Sequence, residues 1–279
     1  MQCWLNGTYV TAEELRISPF DHGFLYGLGF FETLRTYNGK VLFWEAHMER
    51  LQAALTQFHI HLPYTKQDLL AVIKQLNLAA GGQDGYFRLN VSAGEHGIGL
   101  QPSEYTQPNV IVFRKELPDI PRGKEKTAQW LEVRRNTPEG ALRVKSHHYG
   151  NNVLGRFEMS SLAMQEGFFL TEEGYVAEGV TSNIFWVKDD ILYTPSLEAG
   201  ILPGITRAWI LEHAQSVGIE IREGLFTKND VEQGSECFIT NSVQELVPIC
   251  KLEDIQLLGN KGPIYLRLHE AFIKEVEQQ

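Results

Sequence analysis

The sequence predicts an α+β fold in two domains, on three observations. At 279 residues, the chain is about twice the length of a roughly 150-residue domain. Strand and helix patterns mix along it without the strict alternation that a doubly wound parallel sheet requires. Residues 116–127 carry two prolines, a glycine and dense charge, which is typical of a connection between domains. We therefore predict an N-terminal α/β domain over 1–118, a linker over 119–127 and a C-terminal domain over 128–279.

Composition and charge exclude several classes of protein. With 43% hydrophobic residues and 22% charged residues, the chain has enough apolar surface for a large core, which excludes disorder. Its 25 basic and 35 acidic side chains give a net charge of -10, which disfavours nucleic acid and anionic membranes as partners. The N-terminus lacks the pattern of a signal peptide, and three scattered cysteines predict neither disulfides nor a metal site. We expect a cytoplasmic protein without a bound metal.

The N-terminal third alternates between strand and helix signals. Residues 30–37 alternate in polarity, and Asn38-Gly39 is the dipeptide that most strongly favours a hairpin, because both residues tolerate positive φ. Apolar residues then repeat at helical spacing from Glu45 to Phe58. The complete prediction for this domain is strands over 30–37 and 40–44, helices over 45–58 and 66–78, and strands over 86–93 and 109–115.

The C-terminal part predicts several short strands and two longer helices. Asn152 to Glu166 reads as an amphipathic helix whose buried face carries Val153, Phe157 and Met164. A Pro-Gly turn leads into a second helix, which Gly218 ends. The remaining prediction is a strand over 130–135, two strand pairs that turn near 172–174 and 188–190, a helix over 206–217, and strands around 236–239 and 247–249.

Lys145 is a candidate nucleophile, because a lysine at a strand end that faces a cavity can lose its proton and form an imine. Spacing alone leaves open that it is an ordinary solvated lysine. The adjacent His147 and His148 do not predict a metal site, because neighbouring side chains of an extended segment point in opposite directions. The glycine-rich segment 23–29 precedes a strand and is therefore not a phosphate loop. Close backbone packing explains it better than a ligand contact does.

Two segments are suited to bind an anion. Leu202-Pro203-Gly204-Ile205-Thr206 leads from a turn into a helix, whose first backbone N–H groups and positive end favour a phosphate. An ordinary helix cap at Thr206 explains the same segment. Thr240-Asn241-Ser242 follows an apolar strand and offers short hydrogen-bond donors. Glu178 and the small polar residues 181–183 precede another apolar strand. An ordinary polar turn explains this segment equally well.

Taken together and in order, these segments resemble the fold-type IV family of pyridoxal-phosphate enzymes, which contains branched-chain and D-amino-acid transaminases and aminodeoxychorismate lyases. The similarity spans nearly the whole chain. Its blocks are 18–23, 31–35, 47–51, Lys145, 178–185, 202–206 and 240–242. The resemblance implies a smaller N-terminal α/β domain, a larger C-terminal β pseudo-barrel domain that carries the cofactor lysine, and a homodimer. The cofactor implied is pyridoxal 5'-phosphate.

The resemblance also implies roles for individual residues. Lys145 forms the imine with the cofactor and Glu178 pairs with the pyridine nitrogen, so these two are the predicted catalytic residues. Arg50 binds the phosphate, Leu202 packs on the ring and Tyr149 reaches the ring hydroxyl. The predicted cofactor contacts are Arg50, Lys145, Tyr149, Glu178, Ser182, Asn183, Leu202, Gly204, Ile205, Thr206, Thr240 and Asn241. The predicted substrate contacts are Tyr26, Phe31, Thr33 and Arg88.

Within this family, residues 134–152 and 238–248 are most similar to the aminodeoxychorismate lyases, which make 4-aminobenzoate and pyruvate for folate biosynthesis. The implied substrate, 4-amino-4-deoxychorismate, is a small anion. The alternative is a class IV aminotransferase acting on D-amino or branched-chain amino acids. Residues 86–100 lack the Arg-X-His of D-amino-acid transaminases, whereas Tyr86-Phe87-Arg88 resembles the Tyr-X-Arg of branched-chain transaminases. A third hypothesis, a cofactor-binding protein without catalysis, is disfavoured because Lys145, Glu178 and Arg50 are all present.

Overall fold

The computed structural model describes residues 2–100, 104–117, 121–161 and 163–278. These residues form two compact units. One contains the described residues up to 117 together with Val144–His148, and the other contains 121–143 and Tyr149–Gln278. The sequence assigned Lys145 to the C-terminal domain, but its segment clusters with the N-terminal residues because its backbone hydrogen-bonds to a strand there. Residues 118–120, which include the start of the predicted linker, lie outside the described residues.

The first unit is a six-stranded sheet, in the part of the chain that the structure describes, with the order β2-β1-β6-β5-β3-β4. Helices α2 and α3 supply Leu51, Leu55, Leu69 and Ile73 to the core over this sheet. Its elements are β1 (Gln2–Leu5), β2 (Thr8–Thr11), α1 (His22–Leu25), β3 (Gly29–Tyr37), β4 (Lys40–Val41), α2 (Trp44–Gln57), α3 (Lys66–Ala79), β5 (Gly85–Ser92) and β6 (Asn109–Glu116).

The predicted elements of this unit are present, with one shortened strand. The hairpin at Asn38-Gly39 forms with positive φ at both residues. The returning strand was predicted to reach Trp44, but β4 ends at Val41. Phe43 has a left-handed backbone and is the N-cap of α2, which starts at Trp44. The strand therefore ends three residues before its predicted end, and the helix begins one residue before its predicted start.

The second unit is built on a nine-stranded sheet within the described ranges, in which β9 at one end contacts β10 and β11 near the other. The sheet therefore curls upon itself. Its elements are β7 (Lys126–Trp130), α4 (Gly150–Phe157), β8 (Gln165–Leu170), β9 (Val176–Gly179), β10 (Asn183–Lys188), β11 (Ile191–Pro195), α5 (Ile205–Ser216), β12 (Ile221–Gly224), α6 (Lys228–Glu232), β13 (Glu236–Asn241), β14 (Glu245–Leu252), β15 (Ile255–Gln256) and α7 (Pro263–Glu277).

Two predictions in this unit were wrong. The strand predicted over 130–135 ends at Trp130, because the Glu158 carboxylate binds the backbone N–H groups of Glu132 and Val133. The helix predicted over 152–166 ends at Phe157. Ser160 and Ser161, which are weak helix formers, follow it, and β8 begins at Gln165. Residue 162 lies outside the described residues.

The side chains predicted to form the buried face of that helix are on the surface. Val153, Phe157 and Met164 are 47%, 81% and 50% exposed. The core of this unit is formed instead by the curled sheet, which packs Ile184, Trp186, Ile239 and Ile249 together. Mixed parallel and antiparallel strands with helices outside them confirm the predicted α+β class.

Candidate active site

Lys145 lies against the beginning of β3. The Phe31 N–H donates to the Lys145 carbonyl at 2.9 Å, and the His147 N–H donates to the Gly29 carbonyl at 2.9 Å. The segment thus pairs with the start of β3 as a short antiparallel extension. The Lys145 ammonium lies 4.7 Å from the centre of the Phe31 ring. Two residues that the sequence assigned to cofactor and substrate are therefore in direct contact.

Arg50 is fixed by a buried carboxylate. Its Nε donates to Glu32 Oε1 at 2.8 Å and its Nη2 donates to Glu32 Oε2 at 2.6 Å, which is the strong two-point geometry of an arginine and a carboxylate. His47 Nδ1 lies 2.7 Å from Glu32 Oε2. Burial raises the pKa of Glu32, but Arg50 and His47 outweigh it and lower that pKa to about 2. Glu32 is therefore an anion at neutral pH.

The predicted substrate contacts lie on β3, on β5 and after α1. Arg88 lies over the Phe31 ring, with its guanidinium carbon 3.5 Å from the ring centre. Thr33 is paired with Arg88 in the β3–β5 ladder. The Tyr26 hydroxyl accepts a hydrogen bond of 2.7 Å from the Gly99 N–H and so holds the loop after β5. Phe31, Arg88 and Lys145 thus share one face, whereas Tyr26 supports a loop.

Glu178 is held by two arginines and one backbone amide of its own unit. Arg135 donates to Oε1 through Nε at 2.9 Å and through Nη2 at 2.8 Å. The Leu202 N–H donates to Oε2 at 2.9 Å, and Arg143 Nε lies 3.6 Å from Oε1. Burial lowers the pKa of Arg143 to about 10, so this arginine remains charged at neutral pH. Each carboxylate oxygen can accept more than one hydrogen bond, so Glu178 can take a further donor.

The start of α5, where the sequence predicted an anion site, follows directly on a Pro-Gly turn. Gly204 is its N-cap and Ile205 its first residue, while Thr206 is buried. A Cβ at Gly204 would lie 1.9 Å from Asn183 Oδ1, so only glycine lets the Asn183 amide approach the helix start. Asn183 Nδ2 also donates to the Leu202 carbonyl at 2.9 Å. This amide fixes the turn on which the helix start depends.

Thr240 lies beside Asn183 in the β10–β13 ladder. Its hydroxyl oxygen is buried and has no hydrogen-bond partner among the described residues, which is costly unless a ligand supplies one. Asn241 Oδ1 accepts the N–H groups of Val243 and Gln244 and so fixes the following turn. The Thr240 hydroxyl can therefore donate to a ligand, while the Asn241 side chain stabilises the loop.

Two further predicted cofactor contacts have structural partners. The Ser182 hydroxyl donates to the buried Glu166 carboxylate at 3.1 Å. Tyr149 is the N-cap of α4. By unit, Lys145, Arg50, Tyr26, Phe31, Thr33 and Arg88 lie in the first, and Tyr149, Glu178, Ser182, Asn183, Leu202, Gly204, Ile205, Thr206, Thr240 and Asn241 lie in the second.

Sequence reasoning missed the residues that hold these candidates in place. Arg135 was one of two adjacent arginines, and nothing in the local pattern distinguishes it from Arg134. Glu32 and His47 were noticed only as parts of the family blocks. A charged residue inside the alternating strand 30–37 was the available signal for Glu32, since an unpaired buried charge is very costly.

The described part of the chain contains no group of three or more histidine, cysteine, aspartate or glutamate side chains arranged for a metal ion. No helix within the described ranges is long and apolar enough to cross a membrane.

Comparison with known proteins places these residues in a family context. The family model described as "Amino-transferase class IV" matches residues 29–252. The chain is 39% identical over 276 residues to the aminodeoxychorismate lyase of Bacillus subtilis (strain 168), covering 98% of this chain and 94% of that protein.

Solved structures share the fold over nearly the whole chain. The branched-chain aminotransferase of Thermoproteus uzoniensis with norvaline is 27% identical and has a TM-score of 0.90, covering 100% of this chain and 96% of that one. The branched-chain amino acid aminotransferase of Escherichia coli is 26% identical and has a TM-score of 0.88, covering 98% of this chain and 93% of that one.

Proposed function

The chain belongs to the class IV aminotransferase family, and we propose that it is a pyridoxal-phosphate-dependent carbon–oxygen lyase. Its reaction is the conversion of 4-amino-4-deoxychorismate to 4-aminobenzoate and pyruvate, a step of folate biosynthesis. The observation that carries this proposal is the 39% identity to an aminodeoxychorismate lyase over 98% of the chain. The aminotransferases with solved structures are similar at 26% and 27% identity.

The residues of the second unit fit a phosphorylated pyridine cofactor. The buried Thr240 hydroxyl lacks a partner among the described residues, and the adjacent start of α5 presents backbone N–H groups and a positive helix end. Gly204, Ile205, Thr206, Thr240 and Asn241 are proposed to surround the phosphate, together with Asn183 and Ser182. A side-chain hydroxyl and helix N–H groups are suitable donors for a phosphate dianion.

Arg50 is proposed as the charged partner of the phosphate. Its guanidinium has a two-point contact to Glu32, which fixes the plane of the group. The planar guanidinium of an arginine matches the geometry of a phosphate. Leu202 is proposed to pack on the ring and Tyr149 to reach the ring hydroxyl, as the family resemblance implies.

Glu178 is proposed to bind the pyridine nitrogen. When bound, the cofactor withdraws electrons from the substrate carbon that bears the amine. The contribution of this chain is to place a carboxylate at the nitrogen and to hold it there through Arg135, Arg143 and the Leu202 N–H. Because two N–H groups of Arg135 and the Leu202 N–H orient the carboxylate, it needs no reorganisation during the reaction.

Lys145 is proposed to bind the cofactor covalently and to move the proton. Its Nζ takes the proton from the ring carbon that bears the substrate nitrogen. The bond between the adjacent carbon and the enolpyruvyl oxygen then breaks, and its electron pair leaves with that oxygen as enolpyruvate, which becomes pyruvate. The substrate ring becomes aromatic. Lys145 is again the nucleophile when 4-aminobenzoate is released.

Assembly and location belong to the same proposal. We propose a homodimer, supported by the side chains that α4 leaves on the surface: Val153, Leu154 and Phe157 are 47%, 56% and 81% exposed, and a second copy of the chain is their proposed cover. Light scattering should give twice the chain mass, and Phe157→Lys should give a monomer.

We also propose that the protein is cytoplasmic and binds neither nucleic acid nor membranes. The proposed domain boundary lies near residue 120, and Val144–His148 belong to the N-terminal part.

The experiment that tests the activity compares the two reaction types. The purified holoenzyme is incubated with aminodeoxychorismate, and separately with D-alanine or leucine plus 2-oxoglutarate, while 4-aminobenzoate and glutamate are followed. We expect rapid 4-aminobenzoate formation and slow or absent glutamate. Fast glutamate formation without 4-aminobenzoate would replace the lyase with the second candidate, a class IV aminotransferase, which the similarity to branched-chain aminotransferase structures favours.

The covalent role of Lys145 has its own spectroscopic test. The wild-type protein should keep a visible absorption band after dialysis, whereas Lys145→Ala should lose it unless an amine is added. Persistence of the band in dialysed Lys145→Ala, without added amine, would assign the covalent bond to another residue.

A further inference from the structure

The ring of His147 crosses strand β3 where that strand has no side chain. Lys145 to His147 pair with one edge of β3, and β5 pairs with the other, with Phe31 opposite Asn90. A Cβ at Gly29 would lie 2.3 Å from His147 Cε1 and 2.4 Å from Nδ1. The ring therefore occupies the space that any other residue would fill. Across this gap, His147 Nε2 lies 2.9 Å from Asn90 Oδ1 on β5.

The direction of this hydrogen bond is fixed by a third residue. Arg88 Nε donates to the same Asn90 Oδ1 at 3.2 Å, and an arginine has no acceptor. The amide oxygen of Asn90 must therefore face Arg88, so His147 donates to it from Nε2. Burial and the nearby charge of Arg88 lower the pKa of His147 to about 4. The histidine is thus a neutral donor at neutral pH and adds no charge beside Arg88.

Arg88 is fixed on the face that it shares with Lys145. Its guanidinium lies 3.5 Å above the Phe31 ring, and the Lys145 ammonium lies 4.7 Å from the centre of that ring. The Phe31 ring restrains the guanidinium on one side, and the Asn90 oxygen binds its Nε. Two cations on one aromatic ring form an anion site beside the residue that performs the proposed chemistry.

We propose that His147 and Asn90 are positioning residues that orient Arg88 to receive a carboxylate of the substrate. The row His147–Asn90–Arg88 gives the enzyme its preference for a ring that carries a carboxylate over the same ring without charge. This inference rests on the proposed function, because it takes the anionic cyclic substrate from there. Gly29 is the residue that permits the row, since its missing side chain leaves room for the histidine ring.

The test measures a preference, because general loosening of the fold would weaken both ligands equally. Calorimetry on the holoenzyme gives the dissociation constants of 4-aminobenzoate and of 4-aminobenzamide, which has the same shape without the charge. The wild-type protein should prefer the benzoate, and His147→Leu should reduce that preference about tenfold, by loss of a hydrogen bond to a positioning group. His147→Gln, whose amide can donate, should retain most of it. His61→Leu, an exposed histidine paired with Glu104, is the matched control and should retain all of it.

Two further variants keep the test decisive if His147→Leu does not bind the cofactor. Gly29→Ala displaces the ring and Asn90→Leu removes the shared acceptor, and each should lower the preference as His147→Leu does. An unchanged preference in the soluble variants of this row would overturn the inference. Wild-type turnover of aminodeoxychorismate is measured in parallel. If the wild type turns over aminodeoxychorismate and His147→Leu keeps the preference, the positioning role alone is rejected. If His147→Leu loses the preference but the wild type shows no turnover, the anion site is supported and the lyase assignment is rejected.

Discussion

Each unit contains a buried carboxylate bound by arginine, and the two pairs differ in how far the arginine is exposed. In the first, Glu32 is 1% exposed and Arg50 is 14% exposed. In the second, Glu178 is 5% exposed and Arg135 is 7% exposed. The arginine of the first pair is therefore the more exposed partner, whereas in the second pair both side chains are almost fully buried and a second arginine, Arg143, lies near the carboxylate. We propose that the first pair offers its cation, Arg50, to the cofactor and that the second pair offers its anion, Glu178.

Removing the presented anion should have the largest effect. We expect Glu178→Ala to lower kcat about a hundredfold to a thousandfold, because a fixed charge at the reacting system is lost, with a smaller effect on cofactor affinity. Steady-state kinetics and cofactor titration measure the two effects. Glu223→Ala, which removes a half-exposed partner of Arg207, is the control and should retain its kcat. Equal losses of affinity and kcat in Glu178→Ala would reduce Glu178 to a binding residue.

Removing the supporting carboxylate should act on the phosphate instead. Glu32→Gln leaves Arg50 without its anchor, so we expect about tenfold weaker binding of pyridoxal phosphate and no comparable change for pyridoxal, together with a destabilisation of about 3 kcal/mol from breaking a buried pair. Fluorescence titration of the apoprotein with each compound measures the difference. Glu236→Gln, another buried carboxylate that binds the start of α7, should leave both affinities unchanged. An equal loss for both compounds in Glu32→Gln would contradict the anchoring role.

The stability advantage of the wild type over Glu32→Gln should disappear in acid over a defined pH range. The pKa of Glu32 is lowered from 4.5 to about 2, so its stabilisation is complete above about pH 5 and is lost as the pH falls through 2, below which the carboxylate is protonated in both states. The unfolding free energy of the wild type minus that of Glu32→Gln should be constant from pH 8 to 5 and then fall by up to about 3 kcal/mol. Urea unfolding across this range measures it. A difference that already falls between pH 8 and 6 would point to another titrating group.

The smallest predicted effect lies away from both arginine pairs. Thr65 caps α3 through a reciprocal contact with Asp68, so Thr65→Ala should lower the unfolding free energy by about 1 kcal/mol without changing cofactor affinity or kcat. Thermal unfolding and cofactor titration test this. A loss of cofactor affinity would mean that stability in the first unit and the geometry at Arg50 are coupled.

Some elements of both units were predictable from local sequence patterns. Local patterns predicted α2, α3 and the hairpin at Asn38-Gly39, because spacing and turn chemistry decide such elements. The helix over 152–166 was too long, because its apolar residues Val153 and Phe157 were assigned to the core although they lie on the surface. Apolar residues at helical spacing form the same sequence pattern whether they pack into the core or remain on the surface.

The sequence named candidate residues for the site but not the residues that support them. Lys145, Glu178 and the start of α5 were named from motifs. Arg135 was not, because its contact with Glu178 joins residues 43 positions apart and no local pattern encodes it. The His147–Asn90 contact is likewise created by the register of β3 and β5. Contacts between residues far apart in the sequence can be predicted only once the fold is known, whereas reactive groups often lie in short sequence motifs.

The most direct test of the central claim is the stoichiometry of the reaction at Lys145. Purified holoenzyme is given aminodeoxychorismate alone, and 4-aminobenzoate and pyruvate are quantified against substrate consumed. We predict one molecule of each product per molecule of substrate, and no reaction above background with Lys145→Ala. Consumption of substrate without an equal yield of pyruvate, or unchanged turnover in Lys145→Ala, would contradict the account.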